Sequence, residues 1–439
     1  MAKARLNPAQ ILALGFLAAI TIGTILLSLP ISTANGQRLP FVDALFTATS
    51  ATCVTGLKVV DTGSYFSLFG QLVILVLIQL GGLGIMTMAT LFGLMIGRRL
   101  GLRERLVVQE ALKHSTLGGI RVLLRYVIIL TLSIEGLGAI FLYLRWKGMG
   151  ISYPGYCAVF HAVSGFCNAG FSLFKDSLVG YQADPVINVT MLLLIILGGL
   201  GFTVLTNLRR YRPGKKETLS LHTKVVLSMT FFLIVLSVPL IFLLERNNTL
   251  STLPVGGKIL GAVFQAITPR TAGFNTLEIG QMRGASLFLL MILMFIGASP
   301  GSTGGGVKTS TFGVFLVTIW TFFRGKKEIT IFKRTISHKV TREILTVVAF
   351  AFGLVVLATF LLLLTEGKEF IKVLFEVFSA FGTVGLSTGI TDTLSNLGRI
   401  IITITMFMGR IGPLTIAVAM GQREYAPLYK YPEERVMIG

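Results

Sequence analysis

Four stretches of this chain repeat the same residue types at the same spacing: ALFTATSATCVTGL (44–57), AVFHAVSGFCNAGF (158–171), AVFQAITPRTAGF (262–274) and VLFEVFSAFGTVGL (373–386). In the first, second and fourth, a Phe (Phe46, Phe160, Phe375) stands ten residues before a Gly (Gly56, Gly170, Gly385). In the third, Phe264 precedes Gly273 by nine, so one residue is missing. The glycines are 114, 103 and 112 residues apart (56 to 170, 170 to 273, 273 to 385). Each stretch offers about 12 apolar-to-neutral residues and then a loop, which is too short to cross a bilayer and suits a re-entrant segment. Irregular backbone at membrane depth is tolerated only where protein buries it or where it lines water. The chemistry available there is that of the peptide carbonyl, and its natural guest is a dehydrated cation. Glycine lets each backbone approach a shared axis without a Cβ and with positive φ. The C-terminal ends of the half-helices, partly negative, favour the same guest.

The expected lining is therefore Cys53, Val54, Thr55 and Gly56; Cys167, Asn168, Ala169 and Gly170; Arg270, Thr271, Ala272 and Gly273; and Gly382, Thr383, Val384 and Gly385. Thr383-Val384-Gly385 matches the first three letters of the T-V-G-Y-G loop whose carbonyls replace the hydration shell in potassium channels.

A second glycine cluster recurs 24 to 28 residues beyond each filter glycine: QLGGLGIM (79–86), ILGGLGFT (196–203), FIGASPG (295–301) and FMGRIGP (407–413). Glycine inside a helix costs about 1 kcal/mol relative to alanine. Close helix packing explains the first two copies. It fails for the third, where Pro300 and five glycines between Gly297 and Gly306 cannot continue a helix. That segment, GASPGSTGGGVKTS, resembles a nucleotide-binding loop only superficially. Val307 separates Gly306 from Lys308, and no strand precedes it. The expectation is a polar loop (Gly297, Ser299, Pro300, Gly301, Ser302, Thr303, Gly304, Gly305, Gly306, Lys308) lying across the path just inside the filter. Lys308 is expected to snorkel toward the cytoplasmic surface. Arg410 has two readings, beside the pore holding the loop or as an anchor bonded to half-helix carbonyls. Glu135 is expected to pair locally.

The elements that must position these residues follow from composition. The chain has 439 residues, 53% hydrophobic and 13% charged, against roughly 25% charged in soluble domains. Apolar runs at 11–29, 72–96, 122–144, 186–205, 225–244, 344–364 and 400–420 are long enough to span. The first lacks a small-residue cleavage site and reads as a retained span. Basic residues crowd MAKAR, GRRLGLRERLVVQEALKH, NLRRYRPGKKE, FFRGKKEITIFKRTISHK and GQREYAPLYKYPEER. The positive-inside rule places both termini and the three basic connectors in the cytoplasm. The net charge of +20 is then topology and attraction to anionic membrane lipid, not nucleic-acid binding. The chain reads as an all-α membrane protein of four membrane-pore-membrane repeats around a pseudo-four-fold pore. Its units are 1–110, 111–214, 215–335 with a broken inner helix, and 336–439 with a tail. Three cysteines and four scattered histidines give no disulfide framework, metal set or catalytic constellation, so an enzyme is not expected.

The four-fold pattern resembles the superfamily of potassium transporters that includes the Trk, Ktr and plant high-affinity types. In its compact length it is similar to the membrane subunits of bacterial Ktr systems. The resemblance implies a multi-pass protein of the bacterial plasma membrane with K+ as substrate ion and Na+ as an activator. It implies a homodimer with two pores, and a cytosolic RCK-type regulatory ring that carries the ATP or ADP, leaving none on this chain. It gives the intramembrane loop a gating role, gives Arg410 a part in it, and places the C-terminal tail at a subunit interface. Some plant relatives with Ser at the first filter glycine favour sodium, so glycine at all four positions implies potassium selectivity. The rival is a Na+- or H+-coupled secondary transporter. It needs ionisable groups in the spans, and few exist beyond Glu135, Lys308 and Arg410.

Overall fold

The computed structural model describes residues 8–84, 120–211, 219–326 and 328–412. Apolar length accounts for its four longest helices: α1 (Pro8–Leu27), α4 (Ile120–Gly148), α8 (Leu221–Glu245) and α12 (His338–Glu366). Each has a stretch long and apolar enough to cross a membrane. Their outward faces carry exposed Ile22, Leu132, Phe231 and Phe352, among others, which suits lipid contact.

After each long helix comes a short one: α2 (Phe41–Thr52), α5 (Pro154–Phe166), α9 (Val255–Ile267) and α13 (Phe370–Gly382). At 12 or 13 residues these reach about 20 Å, short of a hydrocarbon core about 30 Å thick. The motif phenylalanines Phe46, Phe160, Phe264 and Phe375 are all fully buried, which gives the repeated aromatic its reason: it packs each short helix into the core. An extended segment and an inner helix complete each unit. The inner helices are α3 (Leu68–Leu83), α6 (Pro185–Leu200) with its continuation α7 (Phe202–Arg210), α10 (Gly284–Phe295) with α11 (Thr309–Phe323), and α14 (Asn396–Ile411). Three are started by side-chain caps: Ser67, Asp184 and Ser395 accept from Gly70, Val186 and Gly398 N–H respectively. For α10, Glu245 at the end of α8 accepts the Arg283 N–H at 3.0 Å instead.

Neighbouring units are sewn together just past the motif loops. Lys58 donates to the Lys175 carbonyl at 2.9 Å, and the Leu178 N–H donates to the Asn275 carbonyl at 3.0 Å. An Arg399–Asp43 ion pair joins the last unit to the first.

Three features differ from the sequence expectations. The run 186–205 is not one straight span: α6 and α7 meet at 97°, hinged on Gly201 with φ +91. The basic connector after α11 contains a two-stranded hairpin, β1 (Thr330–Ile331) and β2 (Arg334–Thr335), with Phe332 and Lys333 left-handed at its turn. Lys308 does not snorkel outward, as described below. The unit bounds at 110 and 214, the basic segments 1–5 and 97–114, and the tail from 421 lie outside the described residues.

Candidate functional site

The four motif loops share one backbone signature. Val54, Asn168, Thr271 and Thr383 have φ of 58, 59, 71 and 50, and two residues later Gly56, Gly170, Gly273 and Gly385 have φ of 94, 69, 75 and 92. Left-handed backbone is unfavourable for a branched residue such as Val54 and costs on the order of 1–3 kcal/mol. Its presence in all four units requires surroundings that over-determine it.

Those surroundings are the other strands. A Cβ on Gly56 would sit 2.5 Å from the Ala169 oxygen and 3.0 Å from Gly170 Cα. On Gly170 it would meet the Ala272 oxygen and Gly273 Cα, both at 3.0 Å. On Gly273 it would collide with the Val384 oxygen, and on Gly385 with the Thr55 oxygen. The order 56, 170, 273, 385 and back to 56 is closed. The strands form a ring in which each glycine leaves room for the carbonyl of the next.

Sequence reasoning missed the residues that hold these strands. A hydroxyl follows each motif Phe by four positions: Ser50, Ser164, Thr268 and Ser379. Its backbone carbonyl accepts the N–H of the middle filter residue in every unit, from Thr55, Ala169 and Val384 at 2.8 Å and from Ala272 at 2.9 Å. The side chains finish the turn. Ser50 donates to the Leu57 carbonyl and accepts the Gly56 N–H, and Ser164 and Thr268 donate to the Phe171 and Phe274 carbonyls. Ser379 accepts the Gly385 N–H at 3.0 Å. The signal was present as S/T at Phe+4. It also locates the residue missing from the third unit, between Thr268 and Thr271.

The residues just before the strands direct their side chains into the surrounding helices. Cys53 lies in the apolar core with Phe46 and Phe381. Cys167 Sγ is 3.7 Å from Gln79 Oε1 and 3.9 Å from Glu135 Oε1, and Gln79 Nε2 donates to Glu135. Glu135 therefore does not pair locally but joins α3, α4 and the end of α5. Arg270 donates to Thr230 Oγ1 at 3.1 Å. Gly382 packs under the Met294 carbonyl at 2.5 Å for an added Cβ.

Below the ring, the segment between α10 and α11 is an irregular loop, as its composition predicts. Gly304 and Gly305 lie directly against Thr271 and Thr383, since a Cβ on either would collide with those hydroxyls. Gly297 packs on Gly305 and Gly306, closing the loop's base, beside a bridge between Ile296 and Val307. The loop's polar backbone is satisfied by the break in α6–α7. Ser299 and Thr303 N–H donate to the Gly199 and Gly198 carbonyls at 3.1 and 3.3 Å, and Phe202 N–H donates to Gly301 at 3.0 Å. Two interrupted helices thus supply each other's missing partners. The Pro300 carbonyl faces Gly201 at the hinge. Ser302 closes a turn on Ser299, and Thr303 Oγ1 donates to the Phe166 carbonyl.

Both cations attach to this loop. Lys308 Nζ donates to the Gly304 carbonyl at 2.7 Å, which overturns the snorkelling expectation. Arg410 donates to the Thr303 carbonyl and to the Gly81 carbonyl of α3. Of its two readings, the contacts match the one in which Arg410 holds the loop; its second acceptor is a carbonyl of an inner helix, not of a half-helix.

A helical membrane protein with a ring of four re-entrant strands over an intramembrane loop belongs among the ion-translocating proteins. The comparisons agree. The TrkH cation transport protein family matches residues 5–424, and the chain belongs to that family; it is a transport protein, not an enzyme. It is 45% identical over 438 residues to the Ktr system potassium uptake protein B of Bacillus subtilis, covering 99% of this chain and 97% of that one. It is 39% identical to the potassium/sodium uptake protein NtpJ of Enterococcus hirae, covering 100% and 98%. Its fold matches the crystal structure of the potassium transporter TrkH from Vibrio parahaemolyticus with a TM-score of 0.73 at 19% identity, covering 96% and 87%.

Proposed function

We propose that this chain is the ion-translocating subunit of a potassium uptake system. It conducts K+ down its electrochemical gradient through the ring formed by residues 53–56, 167–170, 270–273 and 382–385. The observation that carries the reading is the closed order of glycines against neighbouring carbonyls, a geometry suited to a cation stripped of water. The driving force is the membrane potential, about 2.3 kcal/mol per charge per 100 mV. Potassium is the ion named for the Bacillus subtilis relative. The Enterococcus hirae relative is named for uptake of both potassium and sodium; with Gly at all four ring positions, this reading takes K+ as the principal cargo and Na+ as an activator.

The loop 297–310 is the gate in this reading, with Lys308 and Arg410 setting its rest position. A cytosolic RCK-type ring binding ATP or ADP governs it, in keeping with the word "system" in the relative's name. Two subunits form a homodimer in the bacterial plasma membrane, with both termini cytoplasmic and units divided near 110, 214 and 335. Coupled transport is not favoured: the charged groups beneath the ring, Lys308 and Arg410, are cations engaged with carbonyls.

Potassium uptake by a transport-deficient cell tests the reading. Wild type restores growth on low K+, whereas Gly56→Ser and Gly273→Ser lower the preference for K+ over Na+. Unaltered preference in both variants overturns the filter assignment.

A further inference from the structure

The residue after each motif phenylalanine is polar and buried in all four units: Thr47, His161, Gln265 and Glu376. A buried polar group left without a partner costs about 1–3 kcal/mol, so polarity at one depth in every copy needs a cause.

Two units show it. Glu376 accepts from Ser387 Oγ at 2.9 Å and from Thr391 Oγ1. Thr391 Oγ1 also lies 2.9 Å from Ser387 Oγ, and the Gly389 N–H donates to Ser387 at 3.0 Å. His161 Nδ1 is 2.8 Å from the Cys157 carbonyl, and Nε2 is 3.0 Å from Ser172 Oγ. A carbonyl only accepts, so Nδ1 carries the proton and, in the neutral ring, Nε2 accepts from Ser172. The imidazole is stacked on Phe174 at 4.8 Å and meets the edge of Trp146 at 5.0 Å, which fixes its plane. Ser172 and Ser387 each stand two residues past the filter glycine (Gly170, Gly385). In both units, then, a side-chain staple ties the short helix to the chain leaving the ring.

The other two units lack it. Neither amide atom of Gln265, nor Thr47 Oγ1, has a hydrogen-bond partner among the described residues. Two residues past Gly273, Asn275 turns its amide to the Leu277 carbonyl at 3.0 Å. Two past Gly56, Lys58 reaches Lys175 and Asp61 instead. Because the ring runs in chain order, the stapled second and fourth strands face each other, and so do the unstapled first and third.

We propose that His161 and Glu376 are positioning residues for ion selection: they tie the exits of two opposite filter strands to their own short helices, leaving the other pair, whose exit residues Lys58 and Asn275 bond to the neighbouring unit instead, the more compliant. The third strand, compliant in this scheme, is one of the two that the loop touches, through Gly304 against Thr271. Loop movement is therefore transmitted to a wall able to yield, flanked on both sides by walls that are not, one of which, the fourth, the loop also touches through Gly305 against Thr383. The inference rests on reading the ring as an ion filter.

The test measures K+ and Na+ uptake per transporter in the membrane of transport-deficient cells, so that the ratio is independent of how much protein folds. Glu376→Ala lowers the K+/Na+ preference about tenfold, roughly the worth of one hydrogen bond to a charged group, and His161→Ala, whose ring is neutral, lowers it about fivefold. Glu376→Gln, which keeps an acceptor for one hydroxyl, loses less than Glu376→Ala. Thr47→Val and Gln265→Ala stay within about twofold of wild type, as expected where no hydrogen bond is broken. If Glu376→Ala fails to reach the membrane, Ser387→Ala removes the same staple from its other side. Equal shifts in all four units overturn the proposal. So does an unchanged ratio in the His161 and Glu376 variants while Gly385→Ser shifts it. If Gly385→Ser also leaves the ratio unmoved, the filter reading itself falls with it.

Discussion

Filter strands and inner helices come from the same repeated unit and have diverged to different degrees. At the ring, all four units keep a left-handed residue, a middle residue and a left-handed glycine, even though the third has one residue fewer in its approach. At the inner-helix glycines the second and third units differ from each other. Gly81, Gly198 and Gly409 press against the Thr52, Phe166 and Phe381 carbonyls at the ends of their own short helices. Beyond that shared contact the second helix bends by 97° and the third dissolves into a loop. Each filter strand touches two others, so a change in one displaces its neighbours and, through them, the whole ring. An inner helix can break where something else satisfies its backbone, and here each broken helix satisfies the other. Symmetry persists where four strands close one ring and lapses where a pair of helices can compensate.

The most severe way to break that contrast is at the ring. Gly385→Ala introduces a Cβ into the Thr55 carbonyl at a residue with φ +92. Potassium uptake per transporter falls by at least about a hundredfold, close to 3 kcal/mol of barrier. Gly81→Ala also meets a carbonyl, that of Thr52, but at an ordinary helical φ and outside the ring, and is expected to cost less. Equal losses would mean the ring is no more constrained than the helices below it.

A smaller effect, opposite in sign, is expected at the loop. Removing residues 299–308 takes away Gly304 and Gly305 beneath the ring and the Thr303 carbonyl that Arg410 holds. Resting K+ flux rises, by roughly tenfold for about 1.4 kcal/mol of lost closure, and no longer responds to depletion of the cell's nucleotides. Flux unchanged by the deletion removes the loop from the gate.

How much of this the sequence disclosed depended on where each constraint resides. The filter glycines and motif phenylalanines were legible because a close carbonyl and a tightly packed core each admit few residue types. The irregular loop was legible because Pro300 and its glycines cannot be helical. The bend at Gly201 was not, since LGGLG reads equally well as a small-residue helix contact. Gly301 and the Pro300 carbonyl, against which Gly201 packs, lie a hundred residues later. The course of Lys308 was misread for a similar reason: its partner, the Gly304 carbonyl, exists only once the loop has folded back. The hairpin at 330–335 escaped notice because Phe332 and Lys333, rather than Asn-Gly, occupy its left-handed turn.

The subtlest test asks whether the ring's uniformity extends to the hydroxyls that hold it. Ser164 and Thr268 both donate to the carbonyl that follows the filter glycine, but Ser379 instead accepts the Gly385 N–H. Replacing Ser164 by Ala or Thr268 by Val strands a carbonyl that retains a second lone pair and tolerates the loss. Replacing Ser379 by Ala strands an N–H, which has no alternative acceptor in the turn. A typical net hydrogen bond is worth about 1 kcal/mol, and an unsatisfied buried donor costs up to about 3 kcal/mol. Thermal unfolding in detergent with K+ present should therefore order the variants, with Ser379→Ala the least stable. The difference should shrink when K+ is withdrawn, because an ion in the ring stabilises only the form whose strands are in place. Identical shifts in the three variants, indifferent to K+, would place these hydroxyls in ordinary helix capping and detach them from the ring.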